Sequence, residues 1–224
     1  MASVGGGRLI ARGAEAELYL QRPWLDREVL VKRRVRKRYR VPELDRRLRE
    51  YRTVREAEII HRAKELGVPT PVIYLIDIPR TTVYMEYVRG RRLRELLDEL
   101  PREERLDLFH RVGVLVGRLH RGGIIHGDLT TSNMILTEDG RICFVDFGLA
   151  EVSEEVERRG VDLHLMRRML ISTHYGYAEE CFQSFLQGYR EVMGDAATEE
   201  VVRKMREIER RGRYVSERVE DGDR

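Results

Sequence analysis

Three oxygen-bearing side chains stand at a spacing that suits phosphoryl transfer. In the run His126-Gly127-Asp128-Leu129-Thr130-Thr131-Ser132-Asn133, an asparagine follows an aspartate by five residues, and Asp146-Phe147-Gly148 comes a short interval later. On a loop, the Asp128 carboxylate can accept a proton from an attacking hydroxyl or water, or orient it. Asn133 offers a neutral oxygen and Asp146 an anionic one for a Mg2+ ion that bridges the β- and γ-phosphates of ATP. Asn133–Thr137 and Arg141–Val145 read as a hairpin across Glu138-Asp139-Gly140, which brings the three oxygens back to one place. Asn133 is the only asparagine in the chain, in a composition that otherwise avoids amides.

A cation for the phosphates is expected upstream. Val29-Leu30-Val31-Lys32 places a lysine at the end of an apolar strand, from which its ammonium reaches a cleft. Such a lysine needs a carboxylate to hold it. The helical pattern over Pro42–Leu66 puts Glu56 and Glu58 on opposite flanks of an apolar stripe of Leu44, Leu48, Tyr51, Ile59, Ala63 and Leu66, and periodicity does not choose between them.

Around these residues the pattern predicts strands at Arg8–Arg12, Glu17–Leu20, Glu28–Lys32, Val72–Ile76 and Thr82–Val88, with turns at Gly13, Pro23 and Pro79. Gly67, Pro69 and Pro71 stop the long helix. After Gly90 the character changes: Arg91–Leu100 and Arg102–Arg121 read as helices, and everything from Val161 onward reads as helical. The chain therefore predicts an α+β architecture with a β-rich lobe, a helical lobe and a ligand cleft between them. At that boundary, Met85-Glu86-Tyr87-Val88 resembles a kinase hinge, in which the Glu86 carbonyl and the Val88 amide bond the adenine edge.

Composition limits the alternatives. With 224 residues and 42% apolar content the chain has enough material for a real core. Charged residues make up 36%, against roughly 25% in ordinary globular proteins. Only Lys32, Lys37, Lys64 and Lys204 are lysines, the other basic residues being arginine. Scarce amides and abundant charge fit a thermophile, and a GC-rich genome fits the arginine bias equally. No run suits a membrane span, Met1–Gly7 lacks the pattern of a secretory signal, and two cysteines are too few for a disulfide framework. A cytoplasmic setting is expected. The net charge of +3 hides basic clusters at Lys32–Arg40 and at Arg210, Arg211 and Arg213, which suit a solvated face or a nucleic-acid or partner surface.

One block is more specific than the rest. Lys32-x-Arg34-x-x-Lys37-x-Tyr39-Arg40-x-Pro42-x-Leu44-Asp45 resembles the signature of the small, Rio-like atypical kinase subunit of the KEOPS complex. Glu56-Ala57, the His126–Thr130 loop, Val161-Asp162-Leu163 and the Arg210–Arg213 cluster are similar as well. The resemblance implies a reduced bilobal protein-kinase-like fold, with an N-lobe at 1–88, a helical C-lobe at 89–209 and a basic tail at 210–224. It selects Glu56 as the partner of Lys32. It implies serine/threonine kinase or ATPase activity with ATP and Mg2+, supporting threonylcarbamoyl transfer onto tRNA. The implied partners are the threonylcarbamoyl transferase subunit, a small regulatory subunit, and tRNA through the basic patch and tail; residues 210–224 lack an apolar stripe, so the tail is expected to be mobile in the isolated protein. Asp162 is then expected to bond the catalytic-loop backbone, and His120 and His126 to be structural.

The chain departs from ordinary protein kinases in three places. The phosphate loop reads Gly13-Ala14-Glu15-Ala16, where small residues admit phosphate but Glu15 repels it unless the side chain turns away or serves a metal. Gly127 stands where most protein kinases have arginine, and no long activation segment follows Gly148. Poor activity on free peptides is expected. Two other readings share the motifs: a small-molecule phosphotransferase of the aminoglycoside type, and an adaptor that binds nucleotide without turnover.

Overall fold

The computed structural model describes residues 7–24 and 27–222, with side chains outside the description at 23, 24 and 212–222. Strands β1 (Arg8–Arg12), β2 (Ala16–Trp24), β3 (Arg27–Arg34), β4 (Ile73–Asp77) and β5 (Thr82–Glu86) form one antiparallel sheet in the order β1-β2-β3-β5-β4. Helix α1 (Pro42–Glu65) follows β3. The expected strands and long helix are present, although β2 runs on through Pro23 instead of turning there.

The face of α1 differs from the expected stripe. Leu44 and Tyr51 are 52% and 64% exposed, while Asp45, Thr53, Glu56, Ile60 and Ala63 are buried. Asp45 is the reason. Its carboxylate accepts the Lys37 N–H at 3.1 Å and the Arg49 Nε–H at 2.7 Å, so it ties the loop before the helix to the helix's inner face. A buried carboxylate needs such donors, and supplying them turns the first half of α1 by its polar side. Arg49 carries the tie on to the Thr81 hydroxyl at 2.9 Å. The second half of α1 is apolar: Ile59, Ile60 and Ala63 join the large core of the C-lobe, whereas the sheet keeps a small cluster of Val29, Val31 and Tyr84.

In the C-lobe, β6 (Gly90–Arg92), β8 (Met134–Thr137) and β9 (Ile142–Phe144) form a three-stranded sheet. The predicted hairpin is there, but residues 90–92 are a strand. The helix expected from Arg91 shrinks to one turn, α2 (Leu93–Leu96), and a short 3-10 turn. The backbone of β6 is claimed by β8, a partner far off in sequence. Helix α3 (Arg102–Arg121) matches expectation. Strand β7 (Ile124–Ile125) pairs with β10 (Glu151–Val152), and α4 (Val156–Thr173), α5 (Ala178–Met193) and α6 (Asp195–Gly222) complete the lobe.

Helices α3 and α5 meet backbone to backbone. A Cβ on Gly113 would overlap the Phe185 carbonyl, and one on Gly188 would overlap the His110 carbonyl. The Ser184 hydroxyl donates to the Leu106 carbonyl across the same seam at 2.6 Å.

The expected tail is a continuation of α6: Arg210 and Arg211 are helical, and Arg211 pairs with Glu157 of α4 at 2.9 Å. Arg167 of α4 also pairs with Glu209, one residue before Arg210, at 2.8 Å. The side chain of Arg213 lies outside the described residues. Among the described residues no helix is long and apolar enough to cross a membrane.

Candidate active site

Strand β3 ends where it faces both α1 and the loop after β9. The Lys32 ammonium donates to Glu56 Oε1 at 2.5 Å and to Asp146 Oδ1 at 2.7 Å. Geometry thus gives Lys32 the partner that periodicity left open: Glu56 is buried, and Glu58 is exposed on the outer side of the helix. Burial opposes the charge on Lys32, but the Glu56 and Asp146 carboxylates outweigh it and hold the ammonium above the usual lysine range. Burial likewise opposes the charge on Asp146, yet Lys32 and the Gly148 N–H keep its carboxyl below the usual range. Asp146 has φ 62°, a left-handed backbone that an aspartate tolerates better than most residues. The Gly148 N–H, at 3.3 Å from Oδ1, supports that turn.

Asn133 joins the 126–132 loop to the end of β9, its carbonyl accepting the Val145 N–H at 2.9 Å. Its Nδ2 donates to the Asp128 carbonyl at 3.0 Å and to Asp128 Oδ2 at 2.9 Å, which leaves Oδ1 as an acceptor for a cation. The loop is braced from below. Asp162 accepts the N–H groups of His126 at 2.7 Å and Gly127 at 2.9 Å, as well as His120 Nε2 at 3.2 Å. His120 is completed by the Tyr189 hydroxyl at 2.9 Å. His126 lies buried with its ring 4.8 Å from that of Phe147, its Nδ1 accepts the Asp128 N–H at 3.3 Å, and burial pushes its pKa down.

A cavity of about 270 Å3 lies between the lobes. It brings together Lys32, Glu56, Glu86, Val88, Asn133 and Asp146 of the expected site residues. Asp128 is not on its wall and connects through Asn133. Leu18, Leu30, Met85, Ile135 and Val145 supply apolar walls that motif reading missed. Alternation along β2, β3 and β8 was the available signal, but it does not say which sheet face meets a ligand.

The expected phosphate loop, Gly13-Ala14-Glu15-Ala16, is the tight turn between β1 and β2, closed by the Gly13 N–H on the Ala16 carbonyl at 2.9 Å. None of its residues lines the cavity, although Ile10 and Leu18 on the flanking strands do. Glu15 is not placed as a phosphate contact: its carboxylate is turned to Arg52 of α1 at 2.8 Å. The Val35 N–H donates to the Glu15 carbonyl at 3.1 Å, and the Lys37 ammonium to the Ala14 carbonyl. The signature loop therefore holds this turn. Glu15→Ala should weaken ATP affinity, by up to about fivefold for an exposed pair worth at most about 1 kcal/mol. Calorimetric titration that instead finds tighter binding would mean that Glu15 faces the phosphates.

Two acceptor oxygens beside a lysine suit Mg2+, which binds through one or two protein oxygens plus substrate phosphates. Among the described residues no group of three His, Cys, Asp or Glu side chains forms a cage for a metal by itself.

Residues 149–155, between Gly148 and α4, fold straight back through the β7–β10 pair. Leu149 crosses over Gly127, whose φ is 76°, and a Cβ there would overlap the Leu149 carbonyl. The glycine in place of arginine is thus required by the short segment above it.

The protein kinase domain family model matches residues 7–184. A protein of Pyrococcus abyssi named KEOPS complex subunit Bud32 is 50% identical over 212 residues, covering 92% of this chain and 96% of the relative. A protein of Methanothermobacter thermautotrophicus is 45% identical over 207 residues, and one of Methanoculleus marisnigri 46% over 206. Both bear the name "Probable bifunctional tRNA threonylcarbamoyladenosine biosynthesis protein". These matches cover 92% of this chain but only 36% of each of those two relatives.

Proposed function

Since the chain belongs to the protein kinase domain family and, within it, to the family of the KEOPS subunit Bud32, we propose that it binds MgATP between its lobes and releases or transfers the γ-phosphoryl group in support of tRNA threonylcarbamoyladenosine formation. The observation that carries this reading is Lys32, which reaches Glu56 of the N-lobe and Asp146 of the C-lobe at once. When bound, Mg2+ neutralises charge on the β- and γ-phosphates. Asp146 and Asn133 Oδ1 would hold it. Lys32 positions the phosphates, the apolar walls take the adenine, and Glu86 and Val88 meet its edge. Asp128 orients the attacking water or hydroxyl and takes its proton.

The folded-back 149–155 segment supports hydrolysis, or transfer within a complex, over phosphorylation of free peptides. The partners in this reading are a threonylcarbamoyl transferase, a small regulatory subunit and tRNA, with Arg36, Arg38 and Arg210 among the exposed or half-buried cations, and the setting is the cytoplasm. The test is phosphate release from ATP by the chain alone, with the partner transferase, and with tRNA added. Release should require Mg2+ and rise with the partner. A chain that neither binds MgATP nor releases phosphate in any of the three mixtures refutes the reading.

A further inference from the structure

The two carboxylate oxygens of Glu56 are held by two different cations of β3. Lys32 takes Oε1 at 2.5 Å, and the Arg34 guanidinium takes Oε2 at 2.6 Å. Arg34 is only 5% exposed, and it donates also to the Arg52 carbonyl of α1 at 3.2 Å. Its own backbone is fixed, with its N–H on the Thr81 carbonyl at 3.0 Å and its place in the β2–β3 ladder opposite Ala16. Lys32 divides its charge between Glu56 and Asp146. The guanidinium of Arg34, by contrast, has acceptors only on α1 among the described residues.

In protein kinases the lysine–glutamate pair must be in place for transfer, and the position of the helix and the activation segment control it. Here the segment is short and paired to β7, and Gly127 has no side chain with which to read a phosphate on it. A second buried cation on Glu56 does by permanent contact what such a switch does on demand. Resting on the ATP-binding reading above, we propose that Arg34 is a positioning residue that keeps α1 docked and Glu56 in place whether or not nucleotide fills the cleft.

The test compares wild type with Arg34→Met and Arg34→Lys in the full chain. It reads ATP affinity, phosphate release, and hydrogen exchange at residues 53–60 with and without MgADP. In wild type, exchange at 53–60 should change less than about twofold on adding nucleotide. In Arg34→Met, α1 should loosen in the empty protein and regain protection when nucleotide binds, because Lys32 alone must then rebuild the pair. If the docked fraction falls to about one-tenth, affinity weakens about tenfold while kcat at saturation stays within about twofold. Arg34→Lys should recover part of the loss, since an ammonium lacks the planar fork that reaches both Glu56 and the Arg52 carbonyl.

Wild-type affinity in Arg34→Met, or faster exchange that ignores nucleotide, overturns the proposal and leaves Arg34 a structural ion pair. If Arg34→Met does not fold, the same measurements on Arg34→Lys decide. If wild type binds no nucleotide, the functional reading fails by itself, and unchanged exchange at 53–60 in Arg34→Met then refutes the role of Arg34 separately.

Discussion

Asp128→Ala should lower phosphate release from ATP by about 10²–10⁴-fold, the range lost when a positioned acid–base group is removed. MgATP affinity should stay within a few-fold, because Asp128 is not on the cavity wall and Asn133 keeps its bond to the Asp128 carbonyl. Asp146 should behave differently. Asp146→Asn is the cleaner variant there, since asparagine tolerates the φ of 62° that alanine would find strained. It removes the anionic oxygen, and release should fall at least as far, without rescue by added Mg2+. Steady-state release with a Mg2+ titration separates the two. Wild-type release from Asp128→Ala would remove Asp128 from the chemistry.

The largest expected loss of stability comes from a residue with no chemistry. Gly188→Ala should destabilise the chain by about 3 kcal/mol or more, at the upper end for overpacking, because the added Cβ meets a backbone carbonyl that has no rotamer to change. For a chain of this size that lowers Tm by roughly 6–12 °C. Gly176→Ala is the control: nothing lies within 4 Å of a Cβ there, so the change should stay within about 0.5 kcal/mol. Thermal melts in which the two variants behave alike would mean that α3 and α5 are not in backbone contact.

The seam these variants probe could not be read from the sequence, where Gly113 and Gly188 are simply glycines inside helical patterns. A close approach is a property of two helices, and neither sequence pattern contains the other. The same holds for β6, β7 and β10. Each is two or three residues long, too short for a period, and each exists because a remote partner claims its backbone.

What the sequence by itself determined is local. The spacing of Asp128, Asn133 and Asp146, the hairpin between the last two, and the apolar strand ending in Lys32 are set within short stretches, where turn chemistry and residue periodicity act directly. The breakers after α1, Gly67, Pro69 and Pro71, are of the same kind. What only the tertiary structure decided is which way charged side chains point. Glu56 was one of two flanking glutamates until Lys32 and Arg34 of β3 reached it on the inner face of α1, although the family resemblance had named it. Glu15 was a liability beside phosphate until Arg52, 37 positions away, drew it off the cleft. Arg34 was one arginine in a basic run until burial left Glu56 and a carbonyl of α1 as its partners. Helical period fixes the angle of a side chain about its own axis, but a buried charge must find its counter-charge, and that partner is supplied by the packing of another element.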